Sequence, residues 1–252
     1  MPTFKLVLEY DGANYHGWQV QPNLPTIQGT IEAAIRKVAQ HDVDVIGAGR
    51  TDAGVHALGQ VAHFSTTARL TDEEWHRALN GLLPPDIAVL AVEQVPETFH
   101  ARFSAKSKLY RYQILTRVHR SALSRSKVLH YPYPLDLAPM QETSRALVGT
   151  HDFSSFQGSP TDTENPVCTI TRLTIERFGD EIRFEVEANR LLKQMVRNIV
   201  GTLLEVGRGK LKAGDVAEIL AAKDRTKAGP TAPAHGLYLA GVGYGGARVL
   251  QD

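Results

Sequence analysis

Two successive runs of strand, helix, strand, strand, helix, strand predict an α+β fold of two ferredoxin-like (βαββαβ) halves, with antiparallel sheets joined around a central basic cleft. Two observations point there. Apolar spacing switches between strand and helix periods in the same order twice, and positive charge is gathered into two tracts although the formal net charge is only +1. The expected halves are residues 1–104 and 105–252.

In the first half, Phe4 to Tyr10 alternates as a strand, and Ile27, Ile31, Ala34, Ile35 and Val38 recur at helical spacing behind Pro25-Thr26. Asp42 to Ile46 reads as a short strand entering a glycine-rich loop, and Gln60 to Ser65 as the strand leaving it. Thr71-Asp-Glu-Glu74 has capping-box form and opens a helix carrying Trp75, Ala78, Leu79 and Leu82; Ile87 to Val95 follows as a strand.

The order then repeats. Lys108 to Leu115 is a strand, and a helix after Asp136 carries Leu137, Met140 and Leu147 and stops near Gly149. Thr169 to Phe178 and Glu181 to Ala188 form a hairpin around Gly179-Asp180. The pairs Leu191/Leu192, Met195/Val196, Ile199/Val200 and Leu203/Leu204 mark a helix, and Gly236 to Val242 a last strand. Gln157 to Pro166 and Lys223 to Gly236 carry turn residues without an apolar face and read as ordered loops bordering the cleft.

Cys168 lies in an apolar stretch, so it reads as a buried thiol and a reducing cytoplasm as the expected location. The first residues enter a strand pattern without the basic region, apolar run and small-residue site of a secretory signal, and no apolar run reaches membrane-spanning length. No membrane association is expected. From Thr98 to Leu135 there is no Asp or Glu, yet Arg102, Lys106, Lys108, Arg111, Arg117, Arg120, Arg125 and Lys127 all fall inside. A second cluster, Arg190, Lys193, Arg197, Arg208, Lys210 and Lys212, is interrupted only by Glu205. Either tract alone suits a solvated surface; two on a near-neutral chain make a local field for a polyanion.

The densest chemical signal is Gly47-Ala-Gly49-Arg50-Thr51-Asp52-Ala-Gly54-Val-His56. Glycines let backbones or ligands approach closely, so one carboxylate can be presented where larger residues would not fit. Asp and Thr in such a turn also hydrogen-bond their own backbone, and residues alone leave both readings open. A dinucleotide loop would need glycine where Asp52 stands, and no Walker A sequence occurs. His56 and His63 lack ligand-spaced partners, one cysteine cannot build a zinc site, and no Gly-x-Ser-x-Gly elbow is present, so no metal is expected.

Six stretches coincide with one family: Tyr10 to Pro22, Gly49 to Ala57, Phe99 to Ala105, Leu109 to Tyr112, Gln194 to Gly201 and Ala232 to Leu239. Together they resemble the tRNA pseudouridine synthase A family from first strand to last. Lys108, where Arg is more usual, and His235, where Glu is common, are local departures outside the catalytic set.

The resemblance implies conversion of uridine to pseudouridine at positions 38, 39 and 40 of the tRNA anticodon arm, without cofactor, by a homodimer. It places the nucleophilic carboxylate at Asp52, acting on ribose C1′, on the uracil ring or on C2′–H. Each route needs the charged carboxylate, which a neighbouring cation favours.

That cation is implied to be Arg197. On residues alone Arg197 shares a polar stripe with Arg190, Lys193 and Gln194, which suits a solvated face or, because the stripe ends at Gly201, close approach by another surface. Tyr110 is implied to stack on the target uracil, an interaction that contributes about 1–3 kcal/mol in RNA-binding proteins; Tyr112, on the same strand face, reads as core. Arg50 is implied to help extrude the base, as a planar guanidinium that stacks and pairs with phosphate. Leu237 is implied to be an apolar contact of the pocket.

A non-catalytic module of two RRM-like halves would share the βαββαβ order, but the RRM aromatic signature is missing and binding alone gives no reason for a lone acid in a basic groove. A nucleotide-dependent enzyme ranks last.

Overall fold

The computed structural model describes residues 1–161 and 163–245. In chain order the elements are β1 (Thr3–Tyr10), α1 (Ile27–Ala39), β2 (Ile46–Gly47), β3 (His56–Ser65), α2 (Asp72–Leu82), β4 (Ile87–Val95), β5 (Ser107–Leu115) and β6 (Leu129–His130). They continue as α3 (Leu137–Arg145), β7 (Gly149–Asp152), β8 (Val167–Phe178), β9 (Glu181–Ala188), α4 (Met195–Gly207), α5 (Asp215–Ala222) and β10 (Leu237–Gly243). Strand pairing is mostly antiparallel, which makes this a mixed α+β fold. The chain divides into two compact units, one of Met1–Lys106 with the chain from Tyr238 on, the other of Ser107–Leu237.

In the first unit β1 lies between β4 and β3 and is buried at Phe4, Leu6, Val7, Leu8 and Tyr10. Helix α1 starts where the Thr26 hydroxyl accepts from the Gly29 N–H at 3.3 Å, and it buries Ile27, Ile31, Ala34 and Ile35. Helix α2 has the full capping box: Thr71 caps the Glu74 N–H and the Glu74 carboxylate returns to the Thr71 N–H at 2.8 Å. Trp75 from α2 packs between Phe4 and Phe64, with ring centroids 5.8 and 5.1 Å away.

One strand differs from the sequence reading. Asp42 to Ile46 is not a strand; only Ile46–Gly47 pairs with β3. The reason lies in α1: the Val45 N–H donates to Glu32 Oε1 at 3.1 Å and its carbonyl accepts from Gln28 Nε2 at 3.0 Å, so α1 side chains take the groups a ladder would use. The expected last strand is present as β10, which pairs in parallel with β3, Tyr238 opposite His56 and Leu239 opposite Ala57. Gly59 permits that approach, since a Cβ there would stand 3.0 Å from the Ala240 carbonyl oxygen.

The second unit is an antiparallel sheet in the order β5-β9-β8-β7, with β6 parallel to β5. Tyr110 lies opposite Val186 and Tyr112 opposite Phe184. Helix α3 is capped by Asp136 on the Ala138 N–H and packs against α4 and β8. Helix α4 begins at Met195 rather than Leu191, because Gln194 takes a left-handed conformation (φ 56) and leaves Leu191 and Leu192 in the preceding turn. It is buried almost all round, polar Asn198 and Thr202 included. Strands β6 and β7 and helix α5 have no counterpart in the sequence reading: β6 is two residues long, Gly149 (φ +118) reads as a stop, and α5 buries only Val216 and Ile219. Cys168 is a buried free thiol.

Candidate active site

In the first unit the loop from Gly47 to His56 joins β2 to β3 and is clamped by the segment that follows β1. Trp18 N–H donates to the Thr51 carbonyl at 3.0 Å, Gly54 N–H to the Tyr15 carbonyl at 3.3 Å, and Val55 N–H to the Asp52 carbonyl at 3.1 Å. The Thr51 hydroxyl meets the Tyr10 hydroxyl at 2.8 Å, and Gln60 Nε2 donates to the Gly49 carbonyl at 2.7 Å. Burial pushes the Tyr10 phenol up to about 12, so it stays a neutral hydroxyl.

Backbone meets backbone here, and two glycines make that possible. A Cβ on Gly12 would stand 2.0 Å from the Val55 carbonyl oxygen; one on Gly17, whose φ is +91, would stand 2.6 Å from that of Thr51. Gly12 N–H donates to His56 Nδ1 at 3.1 Å, an atom that also lies 3.0 Å from an Asp11 carboxylate oxygen, and the His56 ring stacks on Tyr238 at 4.8 Å. Asp52 is therefore half-buried at the crown of a loop whose neighbours on both sides, Thr51 and Val55, are fixed in the core. Arg50, two residues earlier, is exposed.

The supporting residues Tyr10, Tyr15, Trp18 and Gln60 carry no role in the sequence reading. The available signal was Gly12 and Gly17, two glycines in a segment that no regular turn explains.

In the second unit Arg197 is half-buried on α4, and its Nε donates to the Ala232 carbonyl at 2.7 Å while the Ala232 N–H returns to the Arg197 carbonyl at 3.1 Å. Tyr112 is fully buried and its hydroxyl donates to the Pro233 carbonyl at 2.8 Å, so the core residue also seats the same loop. Burial raises the Tyr112 phenol and the Arg197 charge opposes that rise. His235 is lowered, first by burial and then by the same charge. Arg197 is thus tied to Ala232, and its charge acts on Tyr112 and His235. Tyr110 retains 8% of its surface and Leu237 5%, so both are largely enclosed.

Of the remaining stripe residues, Arg190 donates to the Asn165 carbonyl and exposed Lys193 through Nζ to the Pro160 carbonyl at 2.9 Å. Glu205 pairs with Lys210 at 3.0 Å and Arg208 at 3.6 Å. In the first tract Arg111 pairs with Glu185 at 3.0 Å, whereas Arg117, Arg120, Arg125 and Lys127 remain exposed. Among the described residues no group of three or more His, Cys, Asp or Glu is placed to hold a metal ion, and no helix is long and apolar enough to cross a membrane.

A family model described as tRNA pseudouridine synthase matches residues 6–104 and 144–245. The chain belongs to that family. Proteins named tRNA pseudouridine synthase A are similar over nearly the full length: one from Thermoanaerobacter sp. (strain X514) is 48% identical over 97% of this chain and 100% of its own. One from Acetivibrio thermocellus is 47% identical with the same coverage, and one from Bacillus pumilus 46% identical over 95% of this chain and 98% of its own. As a pseudouridine synthase the chain is an isomerase. The matched stretches carry Arg50, Asp52, Arg197 and Leu237; Tyr110 falls between them.

Proposed function

We propose that this synthase converts uridines 38, 39 and 40 of the tRNA anticodon arm to pseudouridine with Asp52 as its reacting carboxylate. The observation that supports this most directly is the half-buried Asp52 on a loop hydrogen-bonded along its length to Tyr10, Tyr15, Trp18 and Gln60. A carboxylate held by its neighbours needs little reorganisation when it meets the sugar or the base. The isomerisation breaks the N1–C1′ bond and forms C5–C1′; C5 loses a proton and N1 gains one. No atom is lost, so no cofactor or external nucleophile enters.

In this reading Asp52 opens the exchange by attack on C1′, attack on the ring or removal of the C2′ proton, and Arg197 is the cation that serves it. Exposed Arg50 helps turn the nucleoside out of the stem and occupies its place. Tyr110 stacks on the uracil, and Leu237 closes the apolar side of the pocket. We further propose two ferredoxin-like halves around a basic cleft, a homodimer with one tRNA across both subunits, and a cytoplasmic location. The order β4-β1-β3-β2 in the first unit supports the ferredoxin-like reading of that half, and the exposed arginines after β5 support a basic path for RNA.

The test uses purified protein and an unmodified tRNA transcript, with mass mapping of pseudouridine. Product is expected at 38–40 without added metal, and Asp52→Ala should abolish it while tRNA affinity stays within about threefold, because a carboxylate in a phosphate-binding groove contributes little to affinity. Product formed by Asp52→Ala, or no product from the wild type, refutes the assignment. Light scattering that shows only monomer at micromolar concentration refutes the dimer.

A further inference from the structure

Between α5 and β10 runs the Gly/Pro/Ala-rich loop, to which the proposed reaction gives no task. Its seat on α4 is built around one side chain, Arg225. Nη2 of Arg225 donates to Asn198 Oδ1 at 2.9 Å and to the Thr231 hydroxyl at 3.0 Å, while Nη1 donates to the carbonyls of Gly229 at 3.0 Å and Ala228 at 3.4 Å. Four of five guanidinium donors are used, all on neutral acceptors.

Those acceptors are themselves fixed. Asn198 Nδ2 donates to the Phe156 carbonyl at 2.8 Å, Thr231 Oγ1 donates to Asn198 Oδ1 at 2.6 Å, and the Gly229 N–H donates to Thr202 Oγ1 at 2.9 Å. The loop then lies on the helix so closely that a Cβ on Gly201 would stand 1.7 Å from the Pro230 carbonyl oxygen. Asn198 follows Arg197 on the helix, and Thr231 precedes Ala232, the residue whose carbonyl receives Arg197 Nε. One guanidinium therefore sets the position of the acceptor that orients the other.

We infer that Arg225 is a positioning residue for the reaction, acting through Ala232 on the guanidinium of Arg197. This rests on the proposed role of Arg197. A planar fork is needed, because an ammonium offers three donors from one atom and cannot span helix and loop together. Four of its five donors are already engaged by the helix and the loop, so removal of Arg225 should act on the rate and not on tRNA affinity.

The experiment measures single-turnover rate and tRNA affinity for Arg225→Ala, Arg225→Lys, Arg197→Ala and the double variant Arg197→Ala/Arg225→Ala. Arg225→Ala is expected to lower the rate by about 10²-fold with affinity changed less than about twofold, the scale of a catalytic group misplaced by about 1 Å. Arg225→Lys should recover only part of that loss, and the double variant should be no slower than Arg197→Ala alone. Additive losses in the double variant, an unchanged rate in Arg225→Ala, or a loss confined to affinity overturns the inference. A wild-type rate in Arg197→Ala overturns instead the role of Arg197 on which it rests. If Arg225→Ala does not fold, Thr231→Val removes one acceptor at nearly constant volume. It should give a smaller loss with the same non-additivity, and additivity there refutes the inference equally.

Discussion

Gly201→Ala sets two opposing effects against each other inside α4. Replacing a helical glycine by alanine stabilises a helix by up to about 1 kcal/mol when nothing else changes. Here the new methyl would meet the Pro230 carbonyl oxygen at 1.7 Å and its carbon at 2.9 Å, where side-chain carbons do not come within 3.0 Å. The loop must retreat by about 1.3 Å. Such a shift carries Arg197 Nε from 2.7 Å to about 4 Å from the Ala232 carbonyl and opens the reciprocal 3.1 Å bond as well. Overpacking costs about 1–3 kcal/mol and each broken hydrogen bond about 1 kcal/mol, so the steric side wins by about 2–4 kcal/mol. Scanning calorimetry should show the thermal midpoint of the second unit lowered by about 5–15 °C. The single-turnover rate should fall with it, because Arg197 is deprived of its acceptor. A variant as stable as the wild type, with full rate, would show that the loop does not press on the helix.

Acid should loosen the first unit. Burial and then the neighbouring His100 charge hold His63 below its ordinary value, and its Nδ1 accepts the Ala101 N–H at 3.1 Å. The unfolded chain therefore takes up the proton more readily, and stability declines as pH falls below about 6.5 toward the depressed folded value. The thermal midpoint should be lower near pH 5.5 than near pH 7.5, and His63→Asn, which keeps an acceptor but does not titrate, should weaken that dependence; an unaltered curve refutes the assignment. In the exposed loop after β5, replacing Arg120 and Arg125 by Gln should weaken tRNA binding and reduce the log–log salt slope by about 0.7–0.9 for each phosphate that the variant no longer neutralises. An unchanged slope would remove that loop from the RNA path.

Local chemistry made the helices legible: Thr26, Thr71 and Asp136 cap the elements they precede, and apolar residues at three and four positions follow each. What escaped the sequence is set by groups distant along the chain. Val45 is kept out of a strand because side chains of α1 reach its backbone, and β10 joins β3 because Gly59 admits it, which no periodicity records. The Asp52 loop was visible by its glycines, and Gly201 as a point of close approach. Arg225 was not, since one arginine in an aperiodic loop carries no pattern until its four acceptors are assembled around it.

The parallel pairing of Tyr238 and Leu239 beside His56 and Ala57 has a consequence for synthesis on the ribosome. The unit that presents Asp52 is discontinuous, begun by the first hundred residues and finished only when residues near 240 emerge. Until then one side of β3 stands open at its start, and the His56 imidazole waits for the ring that stacks on it. A nascent chain halted after the second unit would carry every residue of the aspartate loop and still leave that strand edge uncovered.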